Sequence, residues 1–381
     1  MEQKKPTEKK RLQEPDIAKC IGICMVIMHH SGFLTSGIMV FVCLFVTPLF
    51  FLISGYMAAL TQEEKVPYPV FFKKISHTIL RTYFLFYFFD ILVYAILQLI
   101  KGLPIDFFTI RYNLILLFIM YGVSVTWYLS ALYLSQLLFH LYLRVSKRGR
   151  WITGSFTVLM LIAALFLRKP LEDWYVYVYS IHSGNVPPGT YILFHFSTAI
   201  LRVPMCVLLL WTGYQTRILE DTDTVLRLKE KWNKINAAAR ILFSICGGSI
   251  LYLLSYRLSL WNEVGNLAVY HYGKNVIVFL AAALAGSAGT LLFAHAIVSL
   301  RISFLTNILT YIGKNTLIIL ITHLDFYLLI NAMRIVSHIP VINSRVLFKL
   351  PAILILTLLF EVPVIEMINR FFPFLIGRKK R

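Results

Sequence analysis

Charged residues are scarce in this chain. Of its 381 residues only 14% are Asp, Glu, Lys or Arg, whereas soluble domains contain roughly 25%. A soluble protein of this length would need more polar surface to cover its core. Hydrophobic residues make up 58% of the chain and the mean hydropathy is +0.73. The composition therefore excludes an ordinary soluble domain and favours a membrane protein.

Cysteine and acidic residues are also few. The five cysteines all fall in apolar segments, and none belongs to a Cys-x-x-Cys pair or a Cys/His cluster. We therefore predict neither a disulfide framework nor a metal site. With 18 acidic residues against 37 Lys and Arg, the net charge is +19. A basic chain can bind nucleic acid, but the placement of these charges indicates membrane orientation instead, so no nucleic-acid partner is expected.

The apolar residues lie in long runs, each approaching the ~20 residues that a helix needs to cross a bilayer. The predicted spans are 17–33, 37–60, 77–100, 125–143, 151–167, 190–216, 238–260, 274–299, 306–330 and 346–372. With the N-terminus inside the cell, most Lys and Arg residues between the spans fall on the inner side, as the positive-inside rule requires. We predict an all-α polytopic membrane protein with about ten transmembrane helices and both termini in the cytoplasm.

The segment 107–121 is apolar but short for a span. Counting it as a span would place the basic cluster 144–150 outside the cell, so we predict a re-entrant or interfacial segment. The first apolar run has no small-residue cleavage site after it and is interpreted as a retained span. The chain thus divides into a cytoplasmic tail (1–16), a transmembrane domain (17–372) and a basic cytoplasmic tail (373–381).

The first predicted span carries three ionisable groups, Lys19, His29 and His30, which are costly in a membrane and mark functional sites. Lys19 and His30 are eleven positions apart, which places both on one helix face, about 16 Å apart, with His29 about a quarter-turn away. This stripe suits a ligand with anionic groups in the cytoplasm and a reactive end in the membrane, a form that acyl-coenzyme A has. Lys19 as a snorkelling anchor and the histidines as packing residues remain alternatives.

Two further sets of polar groups have more than one interpretation. Lys74, His77 and Arg81 share a helix face, and a basic face at a cytoplasmic helix start can bind phosphate groups or lipid headgroups. Asp90 and Glu361 also lie in predicted spans. Either carboxylate could orient a histidine or pair with Arg202 (also in a span), and the sequence does not choose between them.

Four motifs stand in order along the chain: Asp16-Ile17-Ala18-Lys19 followed by His30, Pro48-Leu49-Phe50-Phe51-Leu52-Ile53-Ser54-Gly55-Tyr56, Trp127-Tyr128-Leu129-Ser130-Ala131-Leu132, and Ile312-Gly313-Lys314-Asn315-Thr316 followed by His323. Together they resemble the acyltransferase-3 family of membrane O-acyltransferases, especially the branch that acetylates sugars. The chain departs from that family at Lys73, Lys74 and His77, where arginines are usual, and at Thr82-Tyr83, where Pro-Tyr is usual.

The resemblance implies transfer of an acyl group from cytoplasmic acyl-CoA, with acetyl-CoA as the expected donor substrate and no permanently bound cofactor. The acceptor would be a hydroxyl of a surface polysaccharide or a lipid-linked glycan, and the location a bacterial inner membrane, in contact with its lipids. His30 would act as general base, and His323 would position the acceptor or support His30. Coenzyme A would be held by Lys19, Lys73, Lys74, Arg81 and Trp127. Supporting roles would fall to Asp16, His29, Ser54, Gly55, Tyr56 and Asn315.

Other interpretations stay open. A transporter or flippase would also place His, Asp and Arg inside the membrane, although no inverted repeat is visible in the sequence. Within acyl transfer, a covalent acyl-histidine route, a succinyl donor or an amine acceptor would fit the same residues.

Overall fold

The apolar runs form α-helices, because a backbone in hydrocarbon must satisfy its hydrogen bonds internally. The computed structural model describes residues 12–181 and 188–378. It is 85% helical, which confirms the predicted all-α polytopic membrane fold. In chain order the helices are α1 (Glu14–His30), α2 (Ser36–Leu60), α3 (Tyr68–Ile75), α4 (Arg81–Lys101), α5 (Phe107–Phe118), α6 (Trp127–Arg144), α7 (Lys147–Ile181), α8 (Pro188–Leu201), α9 (Val203–Glu220), α10 (Asp223–Lys234), α11 (Ala237–Asn262), α12 (Val276–Ser299), α13 (Ser303–Lys314), α14 (Thr316–Thr322), α15 (Leu328–Ser337), α16 (Pro340–Asn343) and α17 (Val346–Phe371).

The other elements are short. Single 3-10 turns occur at Glu63–Lys65, Ser124–Thr126, Leu267–Val269 and Pro373–Ile376, and a π-helical turn at Ser76–Leu80. Two antiparallel strands, β1 (Gly265–Asn266) and β2 (His271–Tyr272), lie in the loop between α11 and α12. Gly265 packs against Leu44 of α2 and Phe279 of α12. This loop therefore folds back onto the helices instead of extending away from them.

Seven helical segments among the described residues are long and apolar enough to cross a membrane: Ser36–Leu60, Tyr68–Lys101, Arg148–Tyr177, Gly189–Glu220, Ala237–Asn262, Val276–Ser299 and Val346–Phe371. α13 and α14 bend by 60° at their junction and together would make an eighth. The predicted spans 17–33 and 125–143 coincide with α1 and α6, which have only 17 and 18 residues. The count of about ten and the side on which the termini lie stay predictions.

The segment 107–121 contains the short helix α5, which packs against α4. Tyr87 of α4 donates a hydrogen bond to the Ile110 carbonyl at 3.3 Å, and Tyr83 donates to the Leu117 carbonyl at 2.9 Å. A re-entrant position for this helix stays a prediction. The contacts show only that its backbone is tied to the neighbouring helix.

The end of the described chain is packed onto the helices. Pro373, Leu375 and Ile376 are buried. A Cβ atom at Gly377, which has φ +70°, would overlap the Thr78 backbone. Residues 373–378 are thus part of the helical domain; residues 379–381 of the predicted basic tail, like 1–11 of the N-terminal tail, lie outside the described residues.

α2 lies at the centre of the fold, packed against α1, α9, α11 and α12. Its contact with α9 depends on two glycines. A Cβ at Gly55 would overlap the Leu210 carbonyl oxygen, and a Cβ at Gly213 would overlap the Leu52 carbonyl oxygen. Small residues let membrane helices approach this closely. Gly55, predicted to support the site, therefore contacts a neighbouring helix backbone.

Replacing Gly55 by alanine is expected to destabilise the protein, because the new methyl group forces α2 and α9 apart. Overpacking of this kind typically costs about 1–3 kcal/mol. Thermal unfolding of the detergent-solubilised protein measures the effect. Gly154→Ala is the matched control, since its new Cβ would make only an ordinary 3.6 Å contact with Tyr142. Equal melting temperatures for the two variants would contradict the close contact of α2 with α9.

Candidate active site

A cavity of about 340 Å³ lies between α1, α2, α6, α14 and the loop between α11 and α12. Apolar side chains such as Ile23, Val46 and Leu320 form much of its wall. Its polar and aromatic lining residues include Lys19, His29, His30, Thr47, Phe50, Ser54, Trp127, Tyr128, Asn266 and Thr316. Five residues predicted from the sequence as site residues thus line a single cavity: Lys19, His29, His30, Ser54 and Trp127.

α1 contributes both the cation and the imidazoles. Lys19 lies one turn into the helix and forms an ion pair with the buried Asp16 carboxylate at 2.8 Å. His30 is the last residue of the helix, and its side chain is exposed. Because Lys19 and His30 line the same cavity, a ligand there can contact a cation near one end of α1 and an accessible imidazole at the other.

The His323 ring lies next to the His30 ring. It follows the last residue of α14 and is fully buried, and the two ring centroids are 5.3 Å apart. The Nδ1 atom of His323 lies 2.8 Å from the Ile319 carbonyl oxygen, so Nδ1 carries the proton and donates it. The buried Nε2 atom has no hydrogen-bond partner among the described residues. In this tautomer Nε2 is a lone-pair acceptor close to His30.

His29 packs against His30 on the other side. Their ring centroids are 5.1 Å apart in an edge-on arrangement, and the Cys43 sulfur is 3.7 Å from Nδ1 of His29. His29 also lines the cavity. Three imidazoles therefore meet at the C-terminal end of α1, and His30 is the most accessible of them.

Arg202 supports the cavity wall. It is fully buried, and its guanidinium donates to the carbonyl oxygens of Ala268 (3.1 Å), Met120 (3.0 Å) and Tyr121 (2.8 Å) and to the Ser130 hydroxyl (2.8 Å). The same group stacks over the Trp127 ring at 5.6 Å. The partners proposed for Arg202 from the sequence, Asp90 and Glu361, are not among these acceptors. One cation thus joins the two segments that carry Trp127 and Ala268 of the lining.

The carboxylates of the buried Glu361 and the half-buried Asp325 contact hydroxyl groups. Glu361 accepts a hydrogen bond from Thr322 at 2.7 Å, and Asp325 accepts one from Ser124 at 2.9 Å. Within residues 12–181 and 188–378, no hydrogen bond or ion pair links either carboxylate to His30 or His323. Orientation of His323 comes from the Ile319 backbone instead.

Several predicted site residues lie away from the cavity. Lys73, Lys74 and Arg81 are not part of its lining, and Lys74 pairs with Glu63 at 3.1 Å. Tyr56 donates to Glu220 at 3.0 Å. Asn315 bonds to the Tyr311 carbonyl and accepts from Asn369, which holds the junction of α13 and α14.

Sequence reasoning missed the loop 263–275, which supplies Asn266, Leu267 and Ala268 to the cavity. The sequence places this loop in an outer connection, and nothing in its composition marks it as part of a wall. The asparagines in and just before it, Asn262, Asn266 and Asn275, are the one usable signal, since asparagine side chains commonly bond to nearby backbone in turns.

The helices and the cavity define a polytopic membrane protein with an accessible imidazole in a largely apolar site between its helices. A family model described as an acyltransferase domain matches residues 12–366. The chain belongs to the acyltransferase-3 family, and the resemblance of its motifs is confirmed at that level. No curated protein and no solved structure matches the chain significantly. Family membership supports membrane acyltransferase activity; the sugar-acetylating branch stays a prediction.

Proposed function

We propose that this protein transfers an acyl group, acetyl in the simplest case, from cytoplasmic acyl-CoA to a hydroxyl of a cell-envelope glycan. The observation that carries the proposal is the exposed imidazole of His30 on a cavity that Lys19 and Trp127 also line. An enzyme that joins a cytoplasmic thioester to an outer acceptor needs a reactive group between the two faces of the membrane. The bacterial inner membrane is the location that this chemistry fits.

The donor enters from the end of the cavity marked by Lys19. A cation there complements the phosphates of coenzyme A, while the mostly apolar wall suits the pantetheine arm and the acyl group. Lys73, Lys74 and Arg81 do not line the cavity, so any contact they make with coenzyme A is with parts of the molecule that remain outside it.

In the reaction, the acceptor hydroxyl oxygen attacks the thioester carbonyl carbon while His30 takes the hydroxyl proton. Imidazole suits this step because its unperturbed pKa is about 6.5. The tetrahedral intermediate collapses with cleavage of the carbon–sulfur bond, and the proton held by His30 passes to the departing sulfur. The products are the glycan ester and free coenzyme A, and His30 returns to its neutral form.

His323 supports the protonated state of His30 in this scheme. As His30 takes the proton, its N–H group can turn toward the free Nε2 lone pair of His323, and the resulting hydrogen bond stabilises the imidazolium as it forms. Because Ile319 holds the other nitrogen at 2.8 Å, the His323 ring is oriented before substrate arrives.

The test is coenzyme A release by the purified, detergent-solubilised protein given acetyl-CoA and a glycan extract from the host envelope. We expect release that depends on the added glycan, with ester appearing on the glycan in equal amount. A folded protein that releases no coenzyme A with any acyl donor, yet moves labelled glycan across vesicle membranes, would be a transporter or flippase instead.

A further inference from the structure

The loop 263–275 separates two cavities. Asn266, Leu267 and Ala268 line the cavity that contains His30. Glu263, His271 and Lys274, from the two ends of the same loop, line a second cavity of about 590 Å³ that also borders the first turns of α2. Along α2 the two cavities are adjacent, since the second is bordered by Val40 and the first by Val42 and Cys43. The loop is therefore a wall with a ligand-accessible surface on each side.

The wall is held in one conformation. The buried Asn262 side chain donates to the Tyr272 carbonyl and accepts from the Asn275 amide, both at 2.8 Å, and its carbonyl accepts from the Lys274 amide at 2.9 Å. Arg202 holds the loop from the protein interior through the Ala268 carbonyl. Three side chains of the loop itself, Leu267, Tyr270 and Tyr272, are buried. A surface fixed in this way presents its polar groups at constant positions.

Asn266 has an unused donor on the side of the histidine cavity. Its Oδ1 atom accepts a hydrogen bond from the Ala268 amide at 2.9 Å, which sets the orientation of the side-chain amide. The Nδ2 group then has two N–H donors, and neither is bonded within the described part of the chain. The side chain is exposed and lines the cavity, so these donors are available to a ligand beside His30.

The second cavity offers both donors and acceptors. Glu263 and Lys274 form an ion pair at 2.6 Å with most of both side chains exposed, and Ser36 and His271 lie in the same lining. A ligand with many hydroxyl groups can donate to the carboxylate and accept from the ammonium without a charge of its own. These groups lie at the ends of α11 and α12 and the start of α2, on the side predicted to be outside the cell.

We infer that the loop 263–275 is the acceptor-binding wall, which takes a polyhydroxylated carbohydrate, and that Asn266 donates a hydrogen bond to the sugar unit being acylated. The inference rests on the proposed function and adds to it the residues that select the acceptor. Asn266 acts here as a specificity determinant and takes no proton. Sugar residues farther along the glycan lie against Glu263, His271 and Lys274.

The test uses Asn266→Asp, which keeps the oxygen that accepts from Ala268 and removes both N–H donors. Asn343→Asp is the matched control, because Asn343 is exposed at the end of α16 and lines neither cavity. Each variant replaces the chromosomal copy of the gene in the host, and a strain that lacks the gene is grown in parallel. Ester groups on the envelope glycans of all strains are measured by mass spectrometry. Coenzyme A binding to each purified variant is measured by calorimetry.

We expect Asn266→Asp to lower glycan ester content about tenfold relative to Asn343→Asp at equal protein level, the loss of roughly one substrate hydrogen bond. Its affinity for coenzyme A should be unchanged. Equal ester content in the two variants would overturn the inference, as would a joint loss of ester content and coenzyme A affinity. Glycan esters that persist in the deletion strain would overturn the proposed function itself, and the inference with it.

Discussion

Replacing His30 by alanine is expected to slow acyl transfer by about 10²–10⁴-fold, the usual contribution of a general base. The side chain ends a helix, is exposed and lines the cavity, so its removal should leave the packing of α1 intact. Initial rates of coenzyme A release from acetyl-CoA in the presence of glycan acceptor measure the effect. Binding of coenzyme A should be retained, because Lys19 and Trp127 remain in place.

His338→Ala is the matched control for this measurement. His338 follows the last residue of α15 and is exposed, and among the described residues its ring bonds to the Arg334 carbonyl one turn earlier, so its loss should leave the rate unchanged. A His30→Ala protein with the rate of the control would show that another group accepts the proton. A variant that no longer binds coenzyme A would instead point to a collapsed cavity.

Arg202→Met should cost the protein about 3–5 kcal/mol of stability or prevent its folding. The substitution removes a fully buried cation and leaves three partly buried carbonyl oxygens and one buried hydroxyl without their donor. Such a loss of a charged partner is strongly destabilising. Arg202→Lys should rescue little, because an ammonium group cannot reproduce the planar fork of donors. Thermal unfolding in detergent, followed by size-exclusion chromatography, measures both variants.

Arg111→Met is the matched control for Arg202. Arg111 lies on α5 with an exposed side chain, and surface substitutions usually change stability by about 0.5 kcal/mol or less. If the melting temperature of Arg202→Met equalled that of the control, water would be replacing the guanidinium in the interior. A Lys variant as stable as the parent would mean that charge alone, without fork geometry, joins these segments.

Hydropathy and residue spacing predict the helices of this protein and part of its cavity lining. Apolar runs identify the helices because the bilayer leaves the backbone few alternatives, and the spacing of Lys19 and His30 follows from the helical repeat. The positions of side chains on loops have no such rule. Lys74 faces Glu63 instead of the cavity, and Asn266 reaches the cavity through a loop whose path depends on Asn262 and Arg202.

The span count shows a different limit. α1 and α6 are helices, yet both are short, and α13 and α14 are separated by a sharp bend. A stretch of sequence records how apolar a segment is, but a bend such as the one near Asn315 depends on contacts with Tyr311 and Asn369. The contact with Tyr311 is local, but the contact with Asn369 joins distant parts of the chain and leaves no local pattern in the sequence.

The acceptors of Arg202 have a consequence for how this protein can change over time. Three of the four are main-chain carbonyls, which every amino acid supplies, so Met120, Tyr121 and Ala268 can be exchanged without losing these bonds. Position 202 has no such freedom, because only one side chain carries the required set of donors. Lineages of this protein can therefore reshape the two wall segments and alter which substrates fit, while a single arginine keeps those segments together.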